Sequence, residues 1–197
     1  REVLTELGIH FTEEIGEAAF YGPKLDVNVK PAVGNEYTLS TCQLDFCLPE
    51  RFHLKYADKN GEEQTPVVLH RAILGSLDRF MAYLIEETMG AFPAWLAPVQ
   101  VKVLPVTDRA AEYANEIAAA LDAKGFRMEV DERNEKIGKK IREATMEKVP
   151  YMLVVGDRDM ENKTVSVRTR SGEDLGAMSL DAFAAKLGED VATKAIH

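Results

Sequence analysis

Residues 24–29 read KLDVNV, with Leu25, Val27 and Val29 apolar and Lys24, Asp26 and Asn28 polar. Successive strand side chains point to opposite faces, so this alternation predicts a β-strand with one buried face. A turn at Gly34-Asn35 leads to a second predicted strand from Tyr37 to Phe46. Asn60-Gly61 marks a further turn before TPVVLHRAI, which is rich in β-branched residues. Residues 19 to 70 therefore read as antiparallel sheet. From Ser76 the period changes: Leu77, Phe80, Met81, Leu84 and Ile85 recur at three and four, the mark of an amphipathic helix, which ends near Gly90.

The segment AFPAWLAP sets Pro93 and Pro98 on either side of the only tryptophan, and it reads as a domain boundary near residue 95. Beyond it VQVKVLPV is a predicted strand. Asp108 to Lys124 is a helix, with Tyr113, Ile117 and Leu121 on one face and Gly125 closing it. FRMEVDE is a strand, Asn134 to Lys148 a helix, YMLVVG a continuously apolar buried strand, TVSVRTR a further strand, and Ser179 opens a last helix. Strands alternating with helices imply parallel βαβ units with right-handed crossovers. The expected fold class is α/β: antiparallel sheet with a helix over residues 1–95, then a mixed, mainly parallel α/β domain over 96–197. No internal repeat or low-complexity tract is visible.

With 197 residues and 46% hydrophobic content, the chain can build one large core or two small ones. Its net charge of -9 argues against a nucleic-acid partner unless a basic face is concentrated locally. No apolar run approaches the roughly 18 residues of a membrane helix, and the first 30 residues are too acidic for a secretory signal. Cytoplasmic placement without membrane association is the expectation. Cys42 and Cys47 imply neither a disulfide framework nor a Cys-rich zinc site and read as two reduced thiols. The chain begins at Arg1, not Met, which leaves open that it is a piece of something longer.

LHRAILGSLDRF, residues 69–80, carries His70 and Arg79 on either side of Gly75-Ser76. With Ser76 as N-cap, Arg79 falls in the first helical turn, where the helix dipole disfavours a cation unless an anion is near. Two partners fit: a phosphate, held by guanidinium and helix amides together, or a surface carboxylate such as Asp78 or Glu50. His70 ends a strand near the lip of the sheet. By itself it reads as a hydrogen-bonded structural residue or one metal ligand, with His10, His53 and His197 in unrelated contexts. In FYGPKLD, the turn at Gly22-Pro23 fixes Tyr21 and Lys24 near one end of the sheet, either as an exposed hairpin entrance or as groups facing a small polar ligand, and Gln43 could line the same surface. RNEKIGKKIREATMEK, residues 133–148, carries six Lys or Arg against three Glu. It reads as a solvated helix face or as part of an RNA-binding face with Arg158, Lys163, Arg168 and Arg170, on which Asn134 and Arg142 could read exposed bases.

Six blocks, FYGPKLD, STCQLDFCLPERF, PVVLHRAILGSLDRF, AFPAWLAPVQV, VDERNEKIGKKIREATMEKVPYMLVVGD and VSVRTRSGEDLGAMSL, occur in that order from about Glu17 to Leu187. Together they resemble the C-terminal part of the threonyl-tRNA synthetase family of class II aminoacyl-tRNA synthetases. The resemblance implies the end of a class II catalytic domain followed by an anticodon-binding domain. It also implies a ligase that activates threonine with ATP and Mg2+ and passes it to threonine tRNA, as a cytoplasmic homodimer. By the same resemblance Arg79 and Ser76 bind ATP, with Arg79 on the γ-phosphate, and Lys24 lies near the reacting phosphate. Tyr21, Gln43 and His70 form the threonine pocket, with His70 also a zinc ligand, and Asn134, Arg142, Asp159 and Arg168 meet the anticodon. Zinc in the family binds the amino and hydroxyl groups of threonine, which excludes valine.

The chain also departs from the family. Asp159 stands where a glutamate is usual, and Thr38 and Leu39 in YTLST replace a polar amide and a thiol. The first two class motifs, the other two zinc ligands and the editing region have no counterpart in these residues, so the isolated chain is expected to be an inactive fragment. Two alternatives are a non-catalytic tRNA-binding module with a vestigial catalytic portion and a related synthetase such as the prolyl enzyme, against which His70 counts.

Overall fold

The computed structural model describes residues 1–31 and 34–196, and the chain divides into two compact units, Arg1–Glu86 and Glu87–His197. The first unit holds helix α1 (Glu2–Glu6), strands β1 (Lys24–Val29) and β2 (Tyr37–Asp45), helix α2 (Cys47–Arg51), the two-residue strands β3 (Tyr56–Ala57) and β4 (Glu63–Gln64), strand β5 (Val68–Ala72), and helix α3 (Leu77–Thr88), whose residues 87 and 88 fall in the second unit. β2 lies between β1 and β5, antiparallel to both. Its register aligns Lys24, Gln43 and His70 in one row across the sheet and Asp26, Thr41 and Ala72 in the next. Because the side-chain period is two, both rows occupy the same face. The other face carries Leu25, Val27, Leu44 and Leu69, and it differs from the expectation of a buried stripe: Leu25 is 44% and Val27 50% exposed. A sheet face is buried only when a second layer covers it, and the helices of this unit bury no apolar side chain larger than Pro49.

Two glycines fix how flanking chain meets β2. Gly22 has φ +155 and a Cβ there would overlap the Leu44 carbonyl; Gly75 has φ +67 and its Cβ would lie 2.9 Å from the Leu39 carbonyl oxygen. Only glycine permits both the backbone angle and the approach. The continuous sheet expected over residues 19 to 70 is interrupted by α2. Asp45 Oδ1 accepts from the amides of Cys47 and Leu48, both at 2.9 Å, and this local side-chain bonding turns the chain into a helix. The turn expected at Gly34-Asn35 adjoins residues 32 and 33, which lie outside the described residues.

The second unit contains strand β6 (Val101–Pro105), a 3-10 turn (Asp108–Ala110), helix α4 (Ala111–Asp122), strand β7 (Met128–Val130), helix α5 (Ile137–Met146), strand β8 (Tyr151–Val155), helix α6 (Asp157–Asn162), strands β9 (Thr164–Thr169) and β10 (Asp174–Ser179), and helix α7 (Leu180–Ala192). The sheet order is β10-β9-β8-β6-β7. β6 runs parallel to both β7 and β8, whereas β9 runs antiparallel to β8 and β10. The mixed, mainly parallel α/β architecture is therefore present. One face packs Val101, Val103, Leu153, Val165 and Val167 against Ile117 and Leu121 of α4 and Phe183 and Leu187 of α7; on the other, Leu104 and Met152 meet Ala144 of α5. Gly125, at φ +83, closes α4 as expected. Two elements were not legible in sequence. β10 contains Gly176 at φ +78 beside a register shift, and α6 is only six residues long.

The AFPAWLAP segment is tied down by polar bonds. Gln100 Nε2 donates to Ala94 O at 2.8 Å, and Arg127 donates from Nε to Ala97 O at 2.9 Å and from Nη2 to Trp95 O at 3.1 Å. Lys140, 4% exposed, reaches inward from α5 and donates to Pro105 O at 3.1 Å and Asp131 O at 2.9 Å. Among the described residues, no helix is long and apolar enough to cross a membrane.

Two stability outcomes follow from these contacts. Lys140→Met strands two buried carbonyls and is expected to cost about 1–3 kcal/mol of unfolding free energy in urea titration. Gly75→Ala strains the turn after β5 and is expected to cost about 1–3 kcal/mol in the same assay, with loss of any ligand bound through Ser76 and Arg79.

Candidate functional site

The polar face of the β1-β2-β5 sheet carries a connected set of side chains. Tyr21 reaches it because the Gly22 turn lets residues 21–23 run beside β2: Phe46 N donates to Tyr21 O and Leu44 N to Pro23 O, both at 3.0 Å. The Tyr21 hydroxyl donates to Gln43 Oε1 at 2.7 Å, and its ring meets the His70 imidazole edge-on, with centroids 5.9 Å apart. Lys24, next to Gln43 in register, pairs with Asp26 at 2.8 Å, and Thr41 Oγ1 donates to the same carboxylate at 2.7 Å. Hydrogen bonds from Lys24, the larger cause, and Thr41 hold the Asp26 carboxyl below the usual carboxylate range. Tyr21, Lys24, Gln43 and His70 are thus brought together.

His70 is anchored by a residue that the sequence pattern does not single out. Its Nε2 lies 2.8 Å from Oδ2 of Asp45, a fully buried carboxylate. Burial pushes the Asp45 carboxyl up, but the bonds from His70, Leu48 and Cys47 outweigh it and leave the group below its ordinary range. The signal was available in QLDF, because Gln43 and Asp45 are two apart on one strand and share a face. Nε2 is engaged and Nδ1 remains the open nitrogen, the arrangement of a histidine metal ligand with its supporting carboxylate. Among the described residues the site offers that single imidazole as a metal donor. Among the described residues no group of three His, Cys, Asp or Glu could hold a metal ion, so the site fits zinc only as one ligand within a larger set.

Ser76 and Arg79 sit beyond the other end of β2, past the close approach of Gly75 to Leu39. Arg79 N donates to Ser76 Oγ at 3.4 Å, so Ser76 caps α3 as expected. Arg79 is exposed and forms no ion pair among the described residues; neither Asp78 nor Glu50 is its partner. Leu39, which Gly75 approaches, is four residues from Gln43 on β2, roughly 13 Å at the ordinary strand rise. Of the departures, Thr38 Oγ1 donates to Asn28 Oδ1 at 2.9 Å, and Leu39 occupies the bulge opposite Val27 and Asn28.

In the second unit the basic helix is less basic than its composition. Arg133 pairs with Asp131 at 2.6 Å and Glu143 at 2.7 Å, Lys139 with Glu135 at 2.5 Å, Lys140 is buried on carbonyls, and Lys148 Nζ bonds Met89 O. Lys136 and Arg142 remain without an ion pair among the described residues. Val165 and Val167 point into the α4-α7 core, so Ser166 and Arg168 lie on the opposite face, the one that α5 covers. Asp159 joins this face through hydrogen bonds from Ser166 Oγ at 3.0 Å and Thr164 Oγ1 at 3.3 Å, and its other oxygen accepts from Gly156 N at 3.0 Å. Its carboxylate is therefore committed within the fold. Asn134, exposed, lines a cleft of about 280 Å³ with Pro105, Thr107, Asp108, Arg133 and Lys140. That cleft lies outside the carboxyl ends of parallel β6 and β7, where open α/β sheets bind ligands.

Residues 1–88 match the family described as tRNA synthetase class II core domain (G, H, P, S and T), and residues 100–190 match the Anticodon binding domain family. The chain is 55% identical over 195 residues to the threonine–tRNA ligase of Geobacillus kaustophilus and 52% identical over 192 residues to that of Nitrosococcus oceani. Each match covers 98% of this chain and 30% of the relative. The crystal structure of the RNA binding domain of threonyl-tRNA synthetase from Cryptosporidium parvum superposes with a TM-score of 0.84 at 37% identity, covering 95% of this chain and 48% of that one. The chain thus spans about a third of the length of its curated relatives, and across that span it belongs to the threonine–tRNA ligase family of class II aminoacyl-tRNA synthetases.

Proposed function

We propose that this protein activates threonine with ATP and Mg2+ and transfers the threonyl group to the 3′ end of threonine tRNA, working in the cytoplasm as a homodimer. The observation that carries this reading is the polar row Lys24–Gln43–His70 with the Tyr21 hydroxyl on Gln43. Tyr21 has committed its proton to Gln43, so its remaining lone pairs accept from the ammonium of the amino acid. The Gln43 amide keeps two N–H donors for a hydroxyl or carboxylate oxygen. Lys24 uses one of its three donors on Asp26 and keeps two for a phosphate. Arg79, the capped start of α3 and Ser76 hold the γ-phosphate, which supplies the anion that a cation in a first helical turn requires.

His70 would contribute one ligand to a zinc ion, which when bound would take the amino and hydroxyl groups of threonine and so reject valine. The residues that reject the wrong tRNA are Asn134, Arg142 and Arg168, with Asp159 in a supporting place on the same face. RNA loops offer unstacked bases to such side chains, and the low net charge makes base contacts count for more than backbone attraction. A second reading, a tRNA-binding module with a non-catalytic first unit, is favoured by one fact: the buried apolar clusters of the described residues lie in the second unit.

Threonine-dependent exchange of pyrophosphate into ATP by the full-length protein separates the two. Arg79→Ala is expected to slow exchange by about 10²–10³-fold while leaving tRNA binding unchanged. A wild-type protein that shows no exchange yet discriminates anticodons establishes the second reading. Arg168→Ala is expected to weaken binding of threonine tRNA by about 10–100-fold and to abolish the preference for its natural anticodon over a substituted one at both low and high salt.

A further inference from the structure

Lys140 is only 4% exposed, yet it lines the cleft at the carboxyl ends of β6 and β7. As a surface charge it is spent, but as a donor it is not. An ammonium carries three N–H groups, and Nζ uses two of them, on Pro105 O at 3.1 Å and Asp131 O at 2.9 Å. These carbonyls lie where β6 and β7 end, so one side chain ties together the two loops that form the cleft. The third N–H has no acceptor among the described residues. A buried charged donor left open costs more than a made bond contributes, so the cleft calls for an acceptor from outside the fold.

The other groups of the cleft define what carries that acceptor. Asp108, Glu132 and Glu135 outnumber Lys140 and Arg133, and Arg133 is already paired with Asp131 and Glu143. A phosphate or other anion is therefore disfavoured. Glu132 accepts from Asn115 and Glu135 from Lys139, whereas Asp108 has no partner among the described residues. The occupant is thus neutral, with an acceptor for Lys140 and an N–H for Asp108. At about 280 Å³ the cleft is at the small end of ligand sites and admits one flat ring system rather than a length of chain. An unstacked nucleobase has that size and that edge chemistry.

We infer that Lys140 is a further recognition residue: its third N–H donates to a ring carbonyl oxygen of one unstacked anticodon base seated in the cleft between the β6–α4 and β7–α5 loops. This rests on the reading of the second unit as the part that meets threonine tRNA. It adds to Asn134 a buried charged donor, which discriminates because a base with an amino group in place of the carbonyl meets a second donor.

In the full-length protein, binding of threonine tRNA is compared with that of tRNAs in which each carbonyl-bearing anticodon base in turn is replaced by an analogue lacking that oxygen. At one position the loss is expected to weaken wild-type binding about 10–100-fold, the range of a hydrogen bond to a charged group. The amide of Lys140→Gln has two N–H donors for Pro105 O and Asp131 O and none to spare. That variant is expected to bind the natural tRNA about 10–100-fold more weakly than wild type and to show no further loss with the same analogue. A wild type insensitive to every lost carbonyl overturns the inference, as does equal sensitivity of wild type and Lys140→Gln at every position. A wild type that does not tell the natural anticodon from a substituted one instead overturns the tRNA reading of the second unit. If Lys140→Gln loses its fold by circular dichroism, photocrosslinking of the wild type from 4-thiouridine at each anticodon position decides. A crosslink to the cleft loops, residues 105–111 or 132–140, upholds the inference, and none at any position overturns it.

Discussion

The position of β2 between β1 and β5 is the constraint on which the first unit depends. Its register aligns Lys24, Gln43 and His70, and a slip of β2 by one residue would turn Gln43 to the opposite face and put an apolar neighbour such as Leu44 between Lys24 and His70. Two glycines and one aspartate maintain the register at its ends. Gly22 and Gly75 let the flanking segments approach the carbonyls of Leu44 and Leu39, and Asp45 ends the strand by capping α2. The same three residues decide where Tyr21, Ser76 and Arg79 stand relative to β2. Backbone requirements and chemical requirements therefore fall on neighbouring positions, and a change at either is felt at both.

The two units are stabilised differently. The second encloses its sheet between α4 and α7 on one side and α5 on the other, with Val101, Val103, Leu153 and Phe183 fully buried. The first has a hydrogen-bonded polar face and an apolar face on which Leu25, Val27 and Leu69 remain about half exposed. Its described buried side chains are polar or small, among them Ser40, Asp45 and Pro49. Ser40 accepts from Arg71 Nη1 at 2.6 Å and donates to Ala72 O at 3.0 Å, so hydrogen bonding does much of the ordering that apolar packing does in the second unit. Such order is more sensitive to the loss of a single partner, because a stranded buried polar group costs more than a made bond contributes.

Charge in the second unit shows why composition is a poor guide to a binding face. Six cations in residues 133–148 suggest a broad basic patch, yet Arg133, Lys139, Lys140 and Lys148 are spent within the fold. What remains for a partner is narrower and more specific: Asn134 at a cleft mouth, Arg142 on α5, and Arg168 on the sheet face beneath it. Asp159, whose side chain is shorter than the glutamate it replaces, bonds Gly156, Ser166 and Thr164 and contributes to the face by shaping it.

Strand alternation in KLDVNV, the change of period at Ser76, the helical stripe Tyr113–Ile117–Leu121 and the buried run YMLVVG were all legible, because each expresses a periodicity that local geometry imposes whatever the rest of the chain does. The ordered blocks of resemblance were likewise a property of the sequence alone. Helix α6 and strand β10 were not legible: one is too short to show a period, and the other is broken by Gly176 and held mainly by its pairing with β9. Nor could the sequence decide that Lys140 is buried on two carbonyls, that Arg79 has no carboxylate partner among the described residues, or that Asp45 grips His70 from 25 positions away. Periodicity is set by neighbours along the chain and is written in order. The partner of a charged or polar side chain is set by which strands come to lie side by side, and that register exists only in the folded sheet.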